Sequence, residues 1–192
     1  MTTAIDRRNG VVKGSLADVT RQNHTHLAAS FVNAECVILV DTSGSMGAKD
    51  AIGGKSRFDQ ACDELAKLQS VLPGKLAVLS FSSSVTFCPT GTPDFIGGST
   101  DLAGALDYAK VADVGGMQFI VISDGEPNNP ITALATARKY TGKIDTVFVG
   151  PEGGSGRDFL DKLARASGGQ AVRAHQATAL ADKLHRLLLE SK

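Results

Sequence analysis

Four short apolar runs restrict the possible folds of this chain more than anything else in it: Cys36–Val40, Leu76–Phe81, Phe119–Ile122 and Ile144–Val149. Each is rich in β-branched residues and nearly continuous. Strands buried on both faces read this way, and a sheet buried on both faces is a parallel sheet covered by helices. Residues at helical spacing lie between the runs. Phe58, Cys62, Leu65 and Leu72 form one stripe, and Leu102, Leu106 and Ala109 a second. Ile131, Leu134 and Ala135 suggest a third, and Phe159, Leu160 and Leu163 a fourth. Leu180, Leu184, Leu187 and Leu188 predict a last helix. Strands alternating with helices give a doubly wound α/β fold, and right-handed crossovers leave it few topologies.

The punctuation agrees. Ser56 followed three residues later by Asp59 is an N-terminal capping pattern. Asn129-Pro130 offers a cap and a proline at the first helical position. Gly142 and Gly168 follow helical runs and read as stop signals. Val85–Phe87 lies so close behind the second run that a strand there must be antiparallel, since a parallel return needs a long crossover. Gln170–Arg173 predicts a final edge strand. Residues 1–33 are expected to be a partly ordered arm with a short helix or strand, and residues 34–192 the domain proper.

Composition removes several classes of function. Lys plus Arg and Asp plus Glu each total 20, so there is no electrostatic footprint for nucleic acid or an anionic membrane. Trp is absent and aromatics are 5%, which leaves no stacking platform for bases. No run approaches the roughly 18 apolar residues of a membrane span, and Met1–Lys13 has no apolar core of a signal peptide. The cysteines, Cys36, Cys62 and Cys88, are odd in number and form no C-x-x-C pair. They read as buried free thiols in a reducing, cytoplasmic compartment.

Open α/β sheets bind ligands outside the carboxyl ends of their strands. Asp41-Thr42-Ser43-Gly44-Ser45 follows the first run, and Ser123-Asp124-Gly125-Glu126 follows the third. Gly97-Gly98-Ser99-Thr100-Asp101 precedes the Leu102 helix. If the first and third strands are neighbours, Asp41 and Asp124 face each other. Two carboxylates among hydroxyls make a hard, all-oxygen site suited to Mg²⁺, with Mn²⁺ or Ca²⁺ also possible. Along an extended turn Asp41, Ser43 and Ser45 point one way while Thr42 and Gly44 point the other.

These motifs resemble a von Willebrand factor type A domain, over about residues 34–190. The resemblance rests on D-x-S-x-S at Asp41, Ser43 and Ser45, the loop with Gly98 and Thr100, and Ser123-Asp124-Gly125. It implies a six-stranded, mostly parallel sheet in the order 3-2-1-4-5-6, with one antiparallel edge strand and flanking helices. It also implies a metal-ion-dependent adhesion site in which Asp41, Ser43, Ser45, Thr100 and Asp124 hold Mg²⁺, directly or through water. A partner protein's Asp or Glu would complete the ion. Ser99 departs from the pattern by placing a second hydroxyl beside Thr100. Thr100 is preferred because Asp101 and the aliphatic Leu102 follow it as the family's pattern asks. Compact bacterial domains of this type often work with ATPase or chaperone-like systems.

Each motif also has a plainer reading. Asp41 and Ser43 alone can form a helix cap or an Asx-turn. Glu126 and Asp101 suit loop ordering and the first turn of a helix. Gly53-Gly54-Lys55-Ser56 is not a phosphate loop, because the position of its first glycine is Lys49. Gly153-Gly154-Ser155-Gly156 reads as a surface loop, Asn23-His24-Thr25 as a sequon without a secretory signal, and His24 and His26 as solvated. His175 and His185 lie far in sequence from the carboxylate loops.

Two classes of function remain. One is a non-enzymatic, metal-dependent protein-binding module with no small-molecule substrate. The other is a Mg²⁺-dependent hydrolase or phosphoryl-transfer enzyme with Asp41 as nucleophile. The second wants an acid two residues on, where Ser43 stands, and a Lys in the carboxylate loops, where there is none.

Overall fold

The computed structural model describes residues 10–23, 29, 32–151, 153 and 155–174. At its centre is β1 (Cys36–Asp41), every residue of which is buried. It runs parallel to β2 (Leu76–Phe81) on one side and β4 (Gln118–Ser123) on the other. β5 (Ile144–Phe148) and β6 (Ala171–Arg173) continue the parallel sheet beyond β4. The short β3 (Val85–Phe87) returns antiparallel along β2 through the tight turn at Ser82–Ser84. The order is β3-β2-β1-β4-β5-β6, as the resemblance implies.

Because side chains alternate along a strand, β1 feeds two cores at once. Val37 and Leu39 face one layer, with α3 (Leu102–Ala109), α4 (Pro130–Ala137) and α5 (Gly156–Ala166) packed over them. Cys36, Ile38 and Val40 face the other, against Ala61, Leu65 and Leu68 of α2 (Arg57–Val71). Burial of each such Leu or Ile contributes about 1.5–3 kcal/mol. These two layers cover both faces of the sheet and leave its carboxyl edge to the loops. Leu16 of α1 (Leu16–Asn23) belongs to the first core. The segment before it is tied on by Val12 N–H to Thr90 O and Gly74 N–H to Gly14 O.

Caps fall where the sequence places them. The Ser56 hydroxyl accepts from Asp59 N–H and starts α2, and the Asn129 side chain accepts from Thr132 N–H and starts α4. Three expectations about the helices and glycines need correction. α4 ends at Ala137, so Gly142 is not its stop. Gly142 lies where an added Cβ would come within 2.5 Å of Met117 O, and its N–H donates to Asp113; it is a close-packing glycine. The fully buried face of α4 is Ala133, Thr136 and Ala137, with Leu134 partly buried against the same core, while Ile131 and Ala135 point outward. Small side chains let this short helix approach its neighbours closely, and Ile131 is exposed in the first turn. Last, Gly156 is no surface residue: it is buried as the first residue of α5. Cys36 is fully buried, while Cys62 and Cys88 are half-buried rather than buried as expected, and none of the three is in a disulfide. The expected Leu180–Leu188 helix, the four histidines and residues 1–9 lie outside the described residues.

Candidate metal centre at the carboxyl edge

Register brings the first acid to the sheet edge. Val40 pairs with Ile122, so the next residues, Asp41 and Ser123, emerge side by side. Asp41 is fully buried. Its Oδ2 accepts from the Ser123 hydroxyl at 2.6 Å, and its Oδ1 accepts from Ser43 N–H at 2.9 Å. Ser123 Oγ in turn accepts from Gly125 N–H at 2.9 Å, which joins the two strand ends in one network. Burial pushes the Asp41 carboxyl up to about 6. Hydrogen bonds from Ser123 and Ser43 oppose this, and the charge of Asp124 adds to it. Ser43 is buried, Ser45 is half-buried, and their hydroxyls are 3.3 Å apart. Thr42 points the other way, with its N–H and hydroxyl both donated to Phe81 O. The alternation read from the sequence is present.

The glycine loop is fastened to this first loop by backbone alone. Gly97 N–H donates to Thr42 O at 2.8 Å, and Gly44 N–H donates to Gly98 O at 3.0 Å. Gly97 and Gly98 both have positive φ, so side chains there would be strained. Ser99 is exposed and its hydroxyl is 2.9 Å from that of Ser83. Thr100 is buried, and its N–H donates to Asn128 Oδ1 while its C=O accepts from Asn128 N–H. Thr100 is thereby tied to the Asp124 loop. Asp101 caps α3 by accepting from Gly104 N–H.

Asp124 completes the cluster. It is buried, and its Oδ2 accepts from Arg57 Nη1 at 2.9 Å. Its Oδ1 is also buried and has no hydrogen-bond partner. A buried carboxylate oxygen without a donor is costly, and a bound cation is one way to satisfy it. Arg57 Nε and Nη2 reach outward to Asp50 at 2.8 and 2.7 Å. The loop after Asp124 runs against α5: a Cβ on Gly125 would sit 2.1 Å from Gly156 O, and one on Gly156 1.8 Å from Asp124 O. Glu126 lies at the surface, where the Ser155 hydroxyl donates to it.

Asp41, Ser43 and Ser45 therefore share one network, Ser123 connects it to the Asp124 loop through Gly125 N–H, Arg57 joins Asp124 to Asp50, and Gly98 and Asn128 hold Thr100 beside both loops. Arg57, Asp50 and Asn128 carry no motif, and Gly156 stands in a glycine-rich stretch that reads as a surface loop. One signal did exist: a cation at the first position of a helix is electrostatically unfavourable and calls for an acidic partner. Among the described residues no group of three or more His, Cys, Asp or Glu could hold a metal. A cation here would rest on two carboxylates and on hydroxyls, which suits a hard ion that keeps some of its water.

No family model matches the chain, and no curated protein does. Solved structures do match. An aerotolerance-related membrane protein from Bacteroides fragilis superposes with a TM-score of 0.64 at 17% identity, over 82% of this chain and 99% of that one. The vWF domain of the type V pili tip protein Mfa5 from Porphyromonas gingivalis gives 0.59 at 12%, over 81% and 95%. A manganese-loaded TRAP protein from Plasmodium vivax gives 0.57 at 19%, over 80% and 73%. Such low identities speak to architecture. With the sheet order and three loops gathered at one edge, they identify this chain as having the von Willebrand factor type A fold.

Proposed function

We propose that this chain is a metal-dependent protein-binding module that captures an acidic residue of a partner through Mg²⁺. The observation that carries the reading is Asp124 Oδ1, a buried acceptor without a donor, beside a second buried carboxylate and a set of hydroxyls. Ser43, Ser45 and Thr100 would hold the ion with Asp41 and Asp124, directly or through water. When bound, the ion supplies an electrophilic centre that a partner's Asp or Glu can complete. The chain's own residues supply the rest. Ser123 and Ser43 N–H orient Asp41, Asn128 anchors Thr100, and the Gly125–Gly156 approach holds the Asp124 loop. Phe95 and Ile96 are exposed on the loop leading into Gly97, where they can add apolar contact to the charged one. The manganese in the Plasmodium vivax structure supports a divalent ion in this fold. Three cysteines outside any disulfide are in keeping with a reducing compartment such as the cytoplasm.

The hydrolase reading fares less well. Ser43 stands where the acid/base would be needed, and Arg57, the cation bonded to Asp124, is also bonded to Asp50. Asp41→Ala is expected to abolish Mg²⁺ binding and partner capture while the fold survives. Titration calorimetry with Mg²⁺ checks the first, and undiminished binding by the variant would overturn the site assignment. Pull-downs with and without chelator check the second. Steady phosphatase turnover that requires Asp41 would overturn the binding reading.

A further inference from the structure

We propose that Arg57 is a built-in competitor of the metal: its guanidinium holds Asp124 in the metal-free protein and withdraws onto Asp50 when a divalent ion arrives. The proposal rests on the metal reading of the site and adds a regulator to it. Its basis is the asymmetry of the two pairings. Toward Asp124, Arg57 offers one N–H, Nη1 at 2.9 Å. Toward Asp50 it offers two, Nε at 2.8 Å and Nη2 at 2.7 Å, in the planar fork that a guanidinium presents to a carboxylate. Exposure is graded along the same line. The Asp124 side chain is 1% exposed, Arg57 15% and Asp50 40%. Arg57 is thus anchored outside and reaches inward with a single bond. Giving up that bond keeps the bidentate pair intact.

Charge supplies the competition. Oδ2 of Asp124 goes to the guanidinium and Oδ1 to nothing. A dication drawn to Asp124 meets the positive charge of Arg57 at close range, and two like charges so near each other weaken the metal's hold. Asp50 has the opposite effect. It offsets the charge of Arg57 and gives it a place to stay. Removing Arg57 should therefore tighten the metal, and removing the charge of Asp50 should loosen it. A residue that merely braced the loop would give no such opposite pair.

The test uses the full chain and Mg²⁺ alone, by titration calorimetry and by thermal unfolding in EDTA and in Mg²⁺. Arg57→Gln is expected to bind Mg²⁺ about tenfold more tightly, the scale of relief from one near-surface like-charge contact. Its Tm in EDTA falls, and its rise on adding Mg²⁺ exceeds that of the unmodified protein. Asp50→Asn is expected to bind about threefold more weakly, as suits an exposed charge. Equal or weaker binding by Arg57→Gln, or equal or tighter binding by Asp50→Asn, overturns the proposal. So does an equal loss of Tm by Arg57→Gln in EDTA and in Mg²⁺. Should Arg57→Gln fail to fold, Asp50→Asn decides alone. If neither the unmodified protein nor any variant binds Mg²⁺, the metal reading falls and takes this proposal with it. If all bind alike, only the role of Arg57 falls.

Discussion

Desolvating a carboxylate raises its proton affinity, and Asp41 shows how two short hydrogen bonds limit that rise without cancelling it. The sign of the pH effect follows. With its folded value raised to about 6, Asp41 binds its proton more tightly in the folded chain than in the unfolded one. Stability of the metal-free protein therefore falls as pH rises from the ordinary carboxylate range toward 6, and the loss is complete above it. A metal needs the ionised form. Mg²⁺ affinity is expected to climb with pH up to about 6, by at most about tenfold per unit, and then to level off. Calorimetric titrations across that range, in two buffers of different ionisation enthalpy, read both the affinity and the proton released. Ser123→Ala removes the 2.6 Å bond that favours the ionised form, so its titration curve should move to higher pH.

Elements set the positions of these side chains through backbone contacts that admit no side chain. Gly125 has φ +78°, and a Cβ there would overlap Gly156 O. Gly125→Ala combines left-handed strain with a clash against fixed backbone, and is expected to cost at least about 2 kcal/mol in chemical denaturation. It should also weaken Mg²⁺ binding by displacing Asp124, whereas Gly115→Ala, with open space around it and no left-handed φ, should leave binding unchanged. At the other end of the site, Ser56 caps α2 and delivers Arg57 one residue later. Ser56→Ala is expected to cost about 1 kcal/mol of stability, measured the same way, through one lost cap.

Across the whole molecule the sheet separates two cores that share its strands. Leu106 of α3 lies in one and Leu68 of α2 in the other, and both are fully buried. Truncation of either to Ala is expected to cost about 2–5 kcal/mol, through lost burial and the cavity left behind. The double variant should be additive within about 0.5 kcal/mol, because the sheet lies between the two sites. Denaturant titration of the single and double variants checks this. A large coupling would mean that the layers communicate through the strands that carry Asp41 and Ser123.

Much of this was legible along the chain. Buried strands are local and nearly continuous, so β1, β2, β4 and β5 stand out as apolar runs. The acids and hydroxyls that follow them inherit a shared edge from the parallel direction of the strands. Other features lie in distances between segments far apart in sequence. Ser99 and Thr100 are adjacent hydroxyls, and only the packing of their loop buries one and turns the other toward Ser83. Periodicity gives most weight to bulky side chains, so it points to Ile131 and Leu134 on α4, whereas the fully buried residues are the small Ala133, Thr136 and Ala137. Arg57 reaches Asp124 across 67 positions of sequence. Local pattern thus determined the strands, the sheet and the donor types at its edge. Tertiary structure alone decided which hydroxyl is buried, which carboxylate oxygen lacks a partner and which cation stands beside it, because each depends on segments that meet only when the chain folds.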